Sequence, residues 1–226
     1  MTGLTLSSNL SGRALRWRNL GAACWLGLMT TPALAHPHVW VTMTEELIFS
    51  EDGALAAVRH TWTFDETFSA FATQGLSGKT KGRFTREELR PLAQTNVESL
   101  KEYRYFTYAR VDGKKQKDAF GDPIDYWLDY DPEKTELTLH LTLPLKKPLI
   151  ARQLLIEVYD PEFFVDFGLA ERNPVKLVGA SPQCSLATEK PHDANFPPAL
   201  NQLFTTSEAN IGMGMNFANK ISVQCP

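Results

Sequence analysis

The sequence predicts an α+β domain: a mainly antiparallel, sandwich-like β-sheet carrying a two-helix, EF-hand-like insertion. Three observations carry that expectation. Period-two alternation of apolar and polar residues dominates from residue 39 onward; two helical segments with capping residues interrupt it once, at about 65–103; and the order of strands, two helices, then strands does not alternate as βαβ units would.

The first 35 residues read as a cleaved export signal. Arg13, Arg16 and Arg18 precede an apolar run from Leu20 to Met29, and Ala33 and Ala35 fill the small-residue cleavage positions. A membrane anchor is disfavoured because Thr30, Thr31 and Pro32 stop the run well short of the roughly 20 apolar residues a spanning helix needs. The mature chain, 36–226, then starts at His36 as a single α+β domain with no transmembrane segment, in the periplasm. It keeps 20 basic against 26 acidic residues, a net charge of −6, which excludes nucleic-acid binding by electrostatics. Cys24 leaves with the signal, so Cys184 and Cys225 form an even pair in an oxidising compartment and are expected to be disulfide-bonded.

Val39, Val41, Met43, Leu47 and Phe49 alternate with other residues, the turn formers Ser50-Glu51-Asp52-Gly53 follow, and a second alternating run spans Ala54 to Phe64. This is a β-hairpin. A turn centred on Asp52 makes residues whose numbers sum to about 104 face each other, setting Trp40 near Phe64, Thr44 near His60 and His38 near Glu66. Asp65 can cap a helix running to about Gly75. Thr85 with Glu88 makes a capping box for a second helix running to about Tyr103, which Pro91 should kink. Further strands are expected at 105–111, 124–130, 136–143, 153–159, 163–167, 175–179 and 221–225. In Glu136–Leu143 the leucines at 137, 139, 141 and 143 share one face, and the other face meets water.

Between the helices, Ser77 to Glu88 can be laid over a 12-residue calcium loop, with Gly82 on the sharp-turn position and Glu88 on the bidentate one. The ligands do not fit. Ser77, Lys79 and Lys81 stand where Asp or Asn is needed, and two ammonium groups would repel the ion, so no calcium is expected.

Cleavage after Ala35 gives His36 both a free α-amine and an imidazole, a chelating pair for zinc, nickel, cobalt or copper as the divalent ion. His38 adds a second imidazole, while Pro37, lacking an N–H, blocks the planar amine–amide–amide–imidazole copper site. Asp65, Glu66 and His60 are the candidate assisting ligands, each with an ordinary alternative as helix cap, first-turn carboxylate or sheet residue. His140 and His192 rank below them, and Met213 and Met215 read as incidental. With no G-x-S-x-G, H-E-x-x-H or phosphate loop, an ordinary hydrolase is unsupported.

The segments "AHPHVWV", "HTWTFDETFSAF", "REELRPLAQTNVESLKEYRYFTY", "VYDPEFFVDF" and "ISVQCP" together resemble domain of unknown function family 1007, a group of secreted bacterial proteins. That resemblance implies the periplasmic component of an ABC-type transport system accompanying a nickel/cobalt-type metal permease or exporter. The expected function is a metal-binding accessory of a transition-metal transport system, not an enzyme. The alternatives are a copper enzyme with an N-terminal histidine brace and a metal-free periplasmic interaction domain. The cleavage site controls the amine: intact mass of the exported protein should give His36 as its first residue, and a start before Ala35 would remove the amine from the site.

Overall fold

The computed structural model describes residues 37–150, 152–191 and 213–226. In chain order the elements are β1 (Val39–Phe49), β2 (Leu55–Phe64), α1 (Glu66–Ala72), α2 (Arg86–Leu100), β3 (Thr107–Val111), β4 (Lys114–Gln116), β5 (Ile124–Asp131), β6 (Glu136–Leu149), β7 (Gln153–Val158), β8 (Val165–Leu169), β9 (Val175–Val178), β10 (Ser185–Glu189) and β11 (Asn219–Gln224). Two sheets share one core. The larger runs β5-β6-β2-β1-β8, with β9 also on β1, and the smaller runs β10-β11-β7-β3-β4. Pairing is mainly antiparallel, as expected for an α+β chain, but β8 and β9 both join β1 in parallel.

The leucines at 137, 139, 141 and 143 are all fully buried, facing Met43, Leu47, Val58 and Trp62 on the same sheet and Ile156 and Ile221 on the other. Helix α2 closes one side with Leu89, Ala93 and Val97. Both helix starts are built as the sequence indicates: Asp65 Oδ1 accepts the Phe68 N–H at 2.9 Å, and Thr85 and Glu88 form a reciprocal capping box. Helix α2 runs on through Pro91 as one element. β4 and β10 were not expected, because Lys114–Gln116 is too short and charged to carry alternation and Ser185–Glu189 is exposed throughout.

The hairpin register differs from the turn-centred expectation by one residue. Phe49 does face Leu55, but Ile48 then faces Ala57, leaving Ala56 as an extra residue. Beyond that bulge the sums are 105: Glu45 faces His60, Met43 faces Trp62 and Val41 faces Phe64. A one-residue slip exchanges the faces of a strand. His60 therefore points into the core while Thr42, Thr44, Thr61 and Thr63 lie on the opposite face.

Between α2 and β3 three successive residues, Arg104, Tyr105 and Phe106, have φ between 52° and 54°. None is glycine, and such a run costs free energy that packing must offset. Tyr105 and Phe106 are both buried, and the Thr107 hydroxyl donates to the Tyr105 carbonyl at 2.7 Å.

Cys184 and Cys225 are disulfide-bonded, as expected. The bond joins the residue before β10 to the residue after β11, so it fastens an exposed edge strand to its neighbour at the paired ends Ser185 and Gln224. The segment 192–212 enclosed by this link lies outside the described residues. Replacing both cysteines by alanine should lower unfolding free energy by about 2–4 kcal/mol in urea titrations under oxidising conditions; an unchanged midpoint would mean that the edge needs no fastening.

Candidate functional site

His36 and His192 lie outside the described residues. His38 stands just ahead of β1 with its side chain exposed, and two backbone hydrogen bonds hold it there: the N–H groups of His38 and Val39 both donate to the Phe164 carbonyl, at 2.9 and 3.3 Å. Its ring lies 4.8 Å from the Phe164 ring. Phe164 is fixed in turn by Asp160, a buried residue whose Oδ1 accepts from the Glu162 N–H at 2.9 Å. Asp160 Oδ2 accepts from the Phe164 and Val165 N–H groups at 2.9 and 3.0 Å. The carboxylate thus organises the loop that clasps the start of β1.

Gly214 packs on that loop from the other end of the chain. A Cβ there would fall 1.6 Å from the Asp160 carbonyl oxygen, so no side chain fits. Gly214 of "GMGMN" thus carries a positional meaning that the sequence reading, occupied with the methionines, missed. Met215 is exposed.

Asp65 and Glu66 do not gather around His38. Asp65 Oδ1 caps α1 and its Oδ2 accepts the Trp40 N–H at 2.9 Å, so both oxygens are committed to the junction of β1 with α1. Glu66 is an exposed first-turn residue. Among the described residues, no group of three His, Cys, Asp or Glu side chains is placed to hold a metal ion.

His60 is fully buried on the core face, opposite Glu45 rather than Thr44. Its Nδ1 stands 2.5 Å from Glu45 Oε2, a contact close in distance but poorly aligned as a hydrogen bond. Trp62 Nε1 donates to Glu45 Oε1 at 3.2 Å, and His60 Nε2 lies 3.3 Å from the Thr107 hydroxyl on the second sheet. Because that hydroxyl already donates to Tyr105, the ring nitrogen is the donor to it. One polar chain, Trp62–Glu45–His60–Thr107, therefore ties the two sheets together inside the core. The sequence reading passed over Glu45, although a carboxylate in phase with Val41, Met43 and Leu47 marks a charge on the apolar face.

On the opposite face, His140 packs flat on Trp127, with ring centres 4.6 Å apart, and its Nε2 lies 3.3 Å from Asp129 Oδ2. Arg86 grips both oxygens of Asp129 at 2.7 and 3.0 Å. Burial lowers the His140 pKa, outweighing the upward pull of Asp129; in Asp129, burial pushes up but Arg86 and Trp127 bring the net shift down. Neutral imidazole and ionised carboxylate are therefore the favoured states, and the cluster is satisfied from within.

Two cavities open beside these groups. One, of about 420 Å³, is lined by residues of both charges, among them Lys101, Arg104, Lys146, Asp118 and Asp122. The other, of about 370 Å³ and mostly apolar, opens next to His38, with Val39 and Phe164 in its wall.

The chain matches the family described as "Protein of unknown function (DUF1007)" over residues 21–225. It belongs to the DUF1007 family. No curated protein matches it at the similarity required. The span of the match takes in the histidines at 36 and 38, the core chain at Glu45 and His60, and the closing disulfide. In this DUF1007 protein no helix among the described residues is long and apolar enough to cross a membrane.

Removing one partner of the buried carboxylate–imidazole pair leaves the other polar group without its partner. Glu45→Ala should therefore cost about 3–5 kcal/mol of unfolding free energy, and Glu45→Leu with His60→Leu clearly less than the two single changes combined. Additive losses in denaturant titrations would show that the two side chains are not coupled.

Proposed function

We propose that this DUF1007 protein is a periplasmic metal-binding accessory of a transition-metal transport system. Its mature N-terminus at His36 captures a divalent ion through the α-amine and imidazole, with the His38 imidazole as partner, and passes it to or from a membrane permease or exporter. The observation that carries this reading is the placement of His38: its imidazole is exposed at the start of β1, on a backbone clasped to Phe164, two residues from the expected terminus. Because Asp65 is committed to capping and His60 to the core pair, the ligand set reduces to His36, His38 and solvent or a partner's group. That open set suits an ion that must be handed on rather than kept.

The Ser77–Glu88 turn belongs to the same reading as an EF-hand-like frame without calcium. Gly82 has φ +71° on the sharp-turn position. Glu88, where a bidentate ligand would be, instead accepts the Lys79 N–H at 2.7 Å and the Thr85 N–H at 2.8 Å.

An amine and imidazoles bind metal only when deprotonated, so affinity for copper, nickel or zinc should fall steeply between about pH 8 and pH 5, with copper tightest. Calorimetric titration of the mature protein should show this, and His36→Ala with His38→Ala should abolish it without changing the circular dichroism spectrum. Unchanged affinity in that double variant, or calcium competing at equal concentration, would contradict the proposal.

A further inference from the structure

The cavity beside His38 is walled by aromatic rings to an extent that metal binding does not call for. Phe64 and Phe68 stand with ring centres 4.8 Å apart at the junction of β2 with α1. Trp62, Phe167, Phe106 and Tyr103 continue the wall in sequence, with successive centres 4.9, 5.3 and 5.3 Å apart. Phe164 completes it at the rim. These rings come from strand, helix and loop, and the left-handed run Arg104–Phe106 is what turns Phe106 into the wall. Backbone held in so sparse a region at a cavity wall is a common companion of ligand sites.

Among the described residues the rim is not closed over. Phe164 is 46% exposed and Tyr103 42%, two large rings left in contact with water at the mouth. Glu162 is exposed there too, and the buried Asp160 also lines the cavity, its carboxylate accepting three backbone N–H groups and meeting no basic side chain of those described along the space. Among the described residues that line it there is no Lys or Arg. Apolar volume within the usual range for small-molecule sites, bounded by π-faces with carboxylates at one end, selects by charge and shape together. Ring faces attract cations, most strongly those too weakly hydrated to resist desolvation.

We propose that this cavity is a binding site for a small organic cation, a quaternary or substituted ammonium compound with an apolar body, seated against the aromatic wall with its charge toward Glu162 and Asp160. This goes beyond the metal reading and does not rest on it. The His38 ring on Phe164 places the two sites side by side.

Phenyltrimethylammonium and its uncharged carbon isostere tert-butylbenzene separate cation recognition from simple apolar filling. Binding would be followed by Trp62-sensitive fluorescence and calorimetry on the mature protein in EDTA, so that loss of metal binding cannot produce the result. The cation should bind at least about tenfold more tightly than the isostere, and Glu162→Gln and Phe164→Leu should each weaken it about three- to tenfold while leaving circular dichroism and thermal midpoint unchanged. An isostere that binds as tightly as the cation would overturn the proposal, as would binding by neither compound, which would mean that another part of the chain fills the space. Cation binding unaffected by both substitutions would place it elsewhere and overturn the site.

Discussion

The pairing of β1 with β2 governs what every other side chain in the larger sheet can do. The extra residue at Ala56 advances the register by one, and from there outward it decides that Glu45, His60 and Trp62 face the second sheet while the threonines face away. Had the strands closed in the tighter register, His60 would pair with Thr44 and an imidazole would sit among threonines. Instead the core receives a carboxylate and an imidazole, which are tolerable only together, and Thr107 on the second sheet takes up the remaining ring nitrogen. A polar chain of this kind carries direction where leucine packing does not, and it fixes how one sheet sits on the other.

Asp160 plays the corresponding part at the edge. Three backbone N–H groups converge on its carboxylate, so a loop of alternating proline, phenylalanine and acidic residues becomes a rigid clasp for the start of β1. Gly214 brings the C-terminal segment against the same loop, and the disulfide fastens the strand that follows. His38, the aromatic cavity and the end of the chain are thereby attached to one small anchor. A perturbation at Asp160 would reach all three.

Much of this was legible in the sequence and the remainder was hidden for identifiable reasons. Alternation located the long strands, and Asp65 and the Thr85–Glu88 pair marked the helix starts because capping chemistry is local. The paired cysteines followed from their even number once an export signal was expected. A bulge has no strong local signature, so the register could be read only from the turn, and the error carried His60 to the wrong face. Glu45 stood in phase with apolar neighbours and was visible in principle, but its partner became apparent only with the register. The parallel joining of β8 and β9 to β1, and the gathering of rings from three separate stretches of the chain around one cavity, depend on long-range pairing that no window of sequence contains.

The proposed metal site at the start of β1 needs two histidines, His36 at the mature terminus and His38. Electron paramagnetic resonance of the mature protein loaded with one equivalent of Cu(II), with histidine labelled by ¹⁵N, tests it directly. Superhyperfine coupling to two imidazole nitrogens is expected, reduced to one by His38→Ala. A spectrum with oxygen ligands only, or couplings indifferent to His38, would contradict it.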